Sequence, residues 1–155
     1  MSQPPIHSLL EDLKSADSLV RDHAIQQFWE MWFMQKGVYG LQQLRRSQTM
    51  LENGEVLAAE ALLNQIIEDQ PDFAEAWNRR AVLYYTIGEF QRSLHDCGKV
   101  VAMIPHHFGA LHGMGLCYAA IGEYEAAIRA FRRTLELQPH SLINKKLILE
   151  CTVML

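Results

Sequence analysis

Apolar and polar positions along this chain recur in a register of 34 residues. Pro71, Pro105 and Pro139 stand one period apart, as do the pairs Gly54-Glu55, Gly88-Glu89 and Gly122-Glu123. Large side chains recur at Met50, Tyr84 and Tyr118, and again at Val56, Phe90 and Tyr124. Small ones recur at Ser47, Ala81 and Gly115, and at Ala59, Ser93 and Ala127, while Leu63, Cys97 and Phe131 form a further apolar set. A period of this size is that of a helical hairpin stacked on copies of itself. The pattern predicts three hairpins, at about residues 40–72, 74–107 and 108–141. Each has a first helix, a glycine turn, a second helix and a closing proline. Glycine accepts the left-handed backbone that ends a helix. Proline lacks the N–H that a continuing helix needs. Small residues at two fixed places let the paired helices approach closely.

The flanks also read as helical. Ile6 to Ser15 is a short amphipathic segment. A second helix, capped by Asp17 or Ser18, runs to about Lys36 before Gly37 breaks it. Leu142 to Met154 is apolar along one side. Repeat arrays need their ends covered, so residues 1–39 and 142–155 are expected to be N- and C-terminal capping helices. Phe28, Trp29, Trp32 and Phe33 make the second helix apolar around much of its girth. The favoured reading buries them between the first helix and the first repeat. The alternative is an exposed strip that docks a partner or a second copy.

The third unit carries Leu111, Met114, Gly115, Tyr118, Gly122, Tyr124, Ala127, Phe131 and Pro139. The second carries Trp77, Ala81, Tyr84, Gly88, Phe90, Ser93 and Pro105. The first keeps Gly54, Ala59 and Pro71. On these residues the chain resembles the tetratricopeptide repeat (TPR) family. The resemblance implies an all-α, right-handed solenoid of three hairpins whose first helices line a concave face. It also implies a non-catalytic adaptor, scaffold or assembly factor that holds a peptide or helix of another protein in that groove.

Helical spacing then nominates the groove residues: Arg45, Gln48, Asn78, Arg79, Tyr85, His112 and Leu116, with Leu44 and Val82 adding apolar contact. Arg45 and Arg79 are equivalent by the period, and with Asn78, Gln48 and His112 they offer donors to a carboxylate or a peptide backbone; the alternative is that the arginines are solvated or pair with nearby acids such as Glu75. A short acidic or C-terminal peptide would suit such a lining. The carboxylate clamp used by chaperone-binding members of the family would fall on Leu44, Gln48, Arg79, Gly109 and Gly113, which disfavours that function. The two glycines are expected instead to open space for a bulky ligand side chain.

Composition narrows the classes further. The net charge of -4 argues against nucleic-acid binding. Three cysteines without paired spacing fit a reducing, cytoplasmic setting. No secretory leader or membrane span is visible. His95, His106, His107, His112, Cys97 and Cys117 lack the converging spacings of a metal site, and no nucleophile, phosphate loop or paired-carboxylate motif stands out. Neither an enzyme nor a cofactor is expected. The alternative function is a self-associating module, a possible homodimer, pairing through its aromatic N-terminal or apolar C-terminal helix. The groove could also be filled by the N-terminal segment from Met1 to Pro5, or by the flanking helices folded back.

Overall fold

A computed structural model describes residues 5–155; Met1 to Pro4, and with them most of the proposed groove-filling segment, lie outside the described residues. The described residues form nine helices: α1 Ile6–Asp12, α2 Ser18–Phe33, α3 Gly37–Glu52, α4 Val56–Asp69, α5 Ala74–Thr86, α6 Phe90–Met103, α7 Phe108–Ala120, α8 Tyr124–Leu137 and α9 Leu142–Val153. The predicted hairpins are α3–α4, α5–α6 and α7–α8. Helix α9 stands where the first helix of a fourth unit would begin, since Leu142 follows Phe108 by one period.

The periodic glycines close identical turns. Gly54, Gly88 and Gly122 have φ of 77°, 82° and 83°. In each turn the next amide reaches back five residues: Glu55 N to Met50 O at 2.8 Å, Glu89 N to Tyr84 O at 2.8 Å and Glu123 N to Tyr118 O at 2.9 Å. This 6→1 bond, with the 5→2 bond from the glycine amide, satisfies carbonyls that the helix end would leave open. The three glutamates begin α4, α6 and α8 through their backbone, and their side chains make no capping bond. The small positions sit at the hairpin contact. A Cβ on Gly115 would lie 2.4 Å from the Phe131 ring.

The N-terminal pair departs from the expected end cap. Helix α2 begins at Asp17, whose Oδ1 accepts from Leu19 N at 2.9 Å. It buries Ala24, Phe28 and Trp32, spaced one turn apart. These pack with Leu9 and Leu13 from α1 against Phe108 of α7, beside Leu137 at the end of α8. At the other end of α2, Phe33 joins the core of the first two units. The pair therefore lies along the array as a strap. Burying Phe28 and Trp32 supplies about 1.5–3 kcal/mol each before ordering costs. The strap is free to lie there because the first unit needs little cover at its end. Ala76 and Leu83 of the second unit are buried against their neighbour, whereas their equivalents one period earlier are Gln42 and Thr49, both exposed. Val38, Tyr39 and Leu57 remain exposed at that end.

Candidate functional site

The concave face is built by α3, α5 and α7, with the C-terminal half of α2 as one wall. The sequence reading missed what ties that wall down. Glu75, in the first turn of α5, is fully buried. Its Oε1 accepts from His107 Nε2 at 2.9 Å, and its Oε2 accepts from Asn78 Nδ2 and Arg79 Nε, both at 2.9 Å. His107 Nδ1 in turn accepts the Ala110 amide at 3.0 Å. That bond places the imidazole proton on Nε2, facing Glu75. The Trp32 ring stacks on His107 with centroids 3.8 Å apart. Arg79 lies over Phe33 and Trp29 at 5.3 and 5.9 Å. A buried carboxylate with three donors is fully satisfied, and it joins the second unit, the third unit and the strap.

Two of the nominated donors are thereby committed. Asn78 Nδ2 and Arg79 Nε serve Glu75, so Arg79 reaches its cavity as a charge already paired, with only its Nη groups left to donate. Leu44 is also corrected: it is fully buried in the core of the first hairpin. Space at Gly109 is taken by the chain itself, because a Cβ there would lie 2.5 Å from the Trp29 ring. Phe28 and Trp32 are core, as favoured, but against Phe108 of the third repeat rather than the first; Phe33 packs on the first two units, and Trp29 is half-buried between. His106 joins them, 5.6 Å from Phe28 between centroids. Burial pushes its pKa below the ordinary value, helped by the neighbouring His107.

The remaining nominated residues fall into two clusters. Arg45 and Gln48 line a cavity of about 280 Å³ with Leu41, with Trp29, Glu30 and Phe33 of α2, and with Met34 just after it. The Gln48 amide donates to Glu52 at 3.2 Å. Tyr85, His112 and Leu116 converge with Asn78, Val82 and Gly113 on a second cavity of about 210 Å³ between α5 and α7. His112 Nδ1 is 2.9 Å from Asn144 Oδ1 of α9, which fixes the ring. A third cavity of about 210 Å³, around Gln48, Leu51, Arg79 and Val82, shares Gln48 with the first and Val82 with the second. The three cavities follow one another from α3 to α7, with apolar walls at the α7 end and Arg45 at the other.

Residues 44–102 and 109–141 each match a family model described as tetratricopeptide repeat. The chain belongs to the tetratricopeptide repeat family. A TPR repeat-containing protein of Rhizobium etli is 38% identical over 82 residues, covering 53% of this chain and 40% of that protein. This chain spans less than half the length of each curated relative it matches. Among solved structures, the first TPR of Spaghetti (RPAP3) bound to an HSP90 peptide aligns with TM-score 0.70 and 19% identity. The alignment takes in 73% of this chain and 90% of that one. The second TPR domain of human RPAP3, in complex with an HSP70 peptide, aligns with TM-score 0.67 and 17% identity over 71% of this chain and 92% of that one. At these identities the likeness is one of fold.

No helix among the described residues is long and apolar enough to cross a membrane. Cys97, Cys117 and Cys151 are buried free thiols.

Proposed function

We propose that this protein is a non-catalytic interaction module whose concave face holds a peptide or helix of a partner protein. The observation that carries this reading is a row of adjoining cavities along α3, α5 and α7 in which apolar side chains face solvent. Val82 and Tyr85 are 41% and 38% exposed there, and both line the cavity with Leu116. Solved neighbours of the same fold are bound to an HSP90 peptide and to an HSP70 peptide. This groove is chemically different. Arg79 is neutralised by Glu75, Gln48 is turned to Glu52, and glycine stands at the 109 and 113 positions. It therefore suits an apolar internal segment, with any ligand carboxylate placed at the Arg45 end. The free, buried thiols are consistent with a cytoplasmic home.

The test is selection of a random twelve-residue peptide library displayed on phage. Wild type should enrich a family of peptides that Val82→Glu/Tyr85→Glu fails to bind while keeping its helical signal. Peptides bound equally by both proteins would move the site away from the groove.

A second reading, self-association, rests on α9. Leu142, Leu149 and Val153 are 78%, 68% and 84% exposed and lie on one face. The aromatic helix, being core, is withdrawn from this role. Light scattering should show a dimer that Leu149→Glu/Val153→Glu converts to monomer; a monomer at every concentration removes it.

A further inference from the structure

The cavity between α5 and α7 owes its existence to two small residues. Where the flanking units carry Leu63 and Phe131, the second unit carries Cys97. Gly113 faces it, and a Cβ there would lie 3.2 Å from the Cys97 sulfur. The resulting pocket, about 210 Å³, is smaller than the ~300–1,000 Å³ of sites that take a whole small molecule. It suits a single large side chain.

The hydrogen-bonding state of the lining specifies which side chain. Asn78 donates its amide to Glu75, which leaves Oδ1 as an acceptor. Asn144 donates Nδ2 to Ser141 Oγ at 2.7 Å, so its Oδ1 receives the proton on His112 Nδ1. A neutral imidazole protonated at Nδ1 offers a lone pair at Nε2. Ser93 is already closed, donating to Ala81 O at 2.7 Å and accepting from the Cys117 thiol at 3.2 Å. The hydrogen bond with Cys117, together with burial, holds the Cys97 thiol above its ordinary range, so it is a neutral wall. The walls are apolar, with acceptors at Asn78 and His112, the Tyr85 hydroxyl able to donate or accept, and no carboxylate, a lining matched by an apolar side chain that carries one N–H. Tryptophan combines a large apolar body with a donor and no acceptor.

The chain shows how such a ring is seated. Its own Trp29 rests on Gly109, and Gly113 lies one turn farther along the same face of α7. We propose that the pocket over Gly113 receives a tryptophan side chain of the partner segment, its indole N–H donated to His112 Nε2. This rests on the groove reading and names what the groove selects.

The experiment is a titration of ¹⁵N-labelled protein with N-acetyl-tryptophanamide, its 1-methylindole analogue and N-acetyl-leucinamide, read at the amides of Cys97, Gly113 and Leu116. Saturable shifts are expected with tryptophanamide. The methylated indole should bind roughly 2- to 10-fold more weakly, the range of one hydrogen bond. His112→Phe should abolish that discrimination. Gly113→Val and, from the opposite wall, Cys97→Leu should abolish the shifts themselves. Leucinamide or methylated indole binding as well as tryptophanamide would overturn the proposal, as would shifts confined to other residues or none up to the solubility limit. Phage-selected peptides that need Val82 and Tyr85 but carry no tryptophan would overturn it while leaving the groove reading intact.

Discussion

Replacing Glu75 by glutamine keeps the shape of the side chain and removes its charge, which isolates the polar knot beneath α2. The carboxylate accepts three hydrogen bonds, each at 2.9 Å, with no exposed surface. A glutamine has one acceptor oxygen, and its amide group must then face either His107 or the Asn78–Arg79 pair. His107 cannot offer a lone pair at Nε2 while Nδ1 accepts from Ala110 N. At least one donor therefore meets a donor. A buried donor without a partner costs about 1–3 kcal/mol, and removing one partner of a buried ion pair costs about 3–5 kcal/mol. A loss of about 3 kcal/mol is expected. For a domain of this size that corresponds to roughly 6–12 °C in Tm, measured by circular dichroism. Tryptophan emission should shift to the red below the main transition, because Trp29 and Trp32 pack on the residues that Glu75 orients. A variant within about 0.5 kcal/mol of wild type would refute the network.

Other outcomes follow from the same contacts. Arg79→Glu sets a second carboxylate against buried Glu75 and should cost about 3–5 kcal/mol, whereas exposed Arg45→Glu should stay within about 0.5 kcal/mol; equal urea midpoints would contradict the pairing. His106, its folded pKa held below the ordinary histidine value of about 6.5 by burial and by His107, stays neutral where the unfolded chain takes up a proton. Stability should therefore fall as pH drops below about 6.5, and His106→Phe should flatten the change in urea midpoint; an unchanged slope would show that other groups carry it. Gly115→Ala should destabilise by about 1–3 kcal/mol through overpacking on Phe131, although alanine favours a helix by about 1 kcal/mol; a rise in Tm would mean that the ring gives way.

The repeat architecture was legible because it is written three times. Each glycine, proline and small residue occupies one geometric role in every unit, so the period alone located the hairpins. The strap was not legible. Its aromatic helix announced burial, but a period describes contacts between neighbouring units, and α2 packs on a unit far along the chain. The cue that could have placed it was negative: Gln42 and Thr49 stand where Ala76 and Leu83 are apolar, so the first unit exposes little that α2 must cover. The groove was half legible. Spacing put Asn78, Tyr85, His112 and Leu116 on one face, and the structure brings them to one cavity. Spacing also allowed Arg79 to pair with Glu75 but could not show that His107, 32 residues from Glu75, completes a buried knot that also takes Asn78.

What individualises this member of the family lies where the period is broken. Cys97 interrupts the series Leu63–Phe131, and the missing volume becomes a pocket rather than core. Gly109 stands one period after Glu75, and the space that a side chain would take admits Trp29. Glu75 itself has Leu41 and Gly109 as its periodic equivalents, so the buried carboxylate has no counterpart in the other units and no reason to exist for stacking alone. Replacing a buried ion pair by apolar residues is often neutral for stability. Its consequence here is positional: it orients His107 and Arg79 as the surfaces on which Trp32, Trp29 and Phe33 rest, and so decides which part of the concave face α2 covers. The open remainder, from Arg45 to Leu116, is what a partner can read.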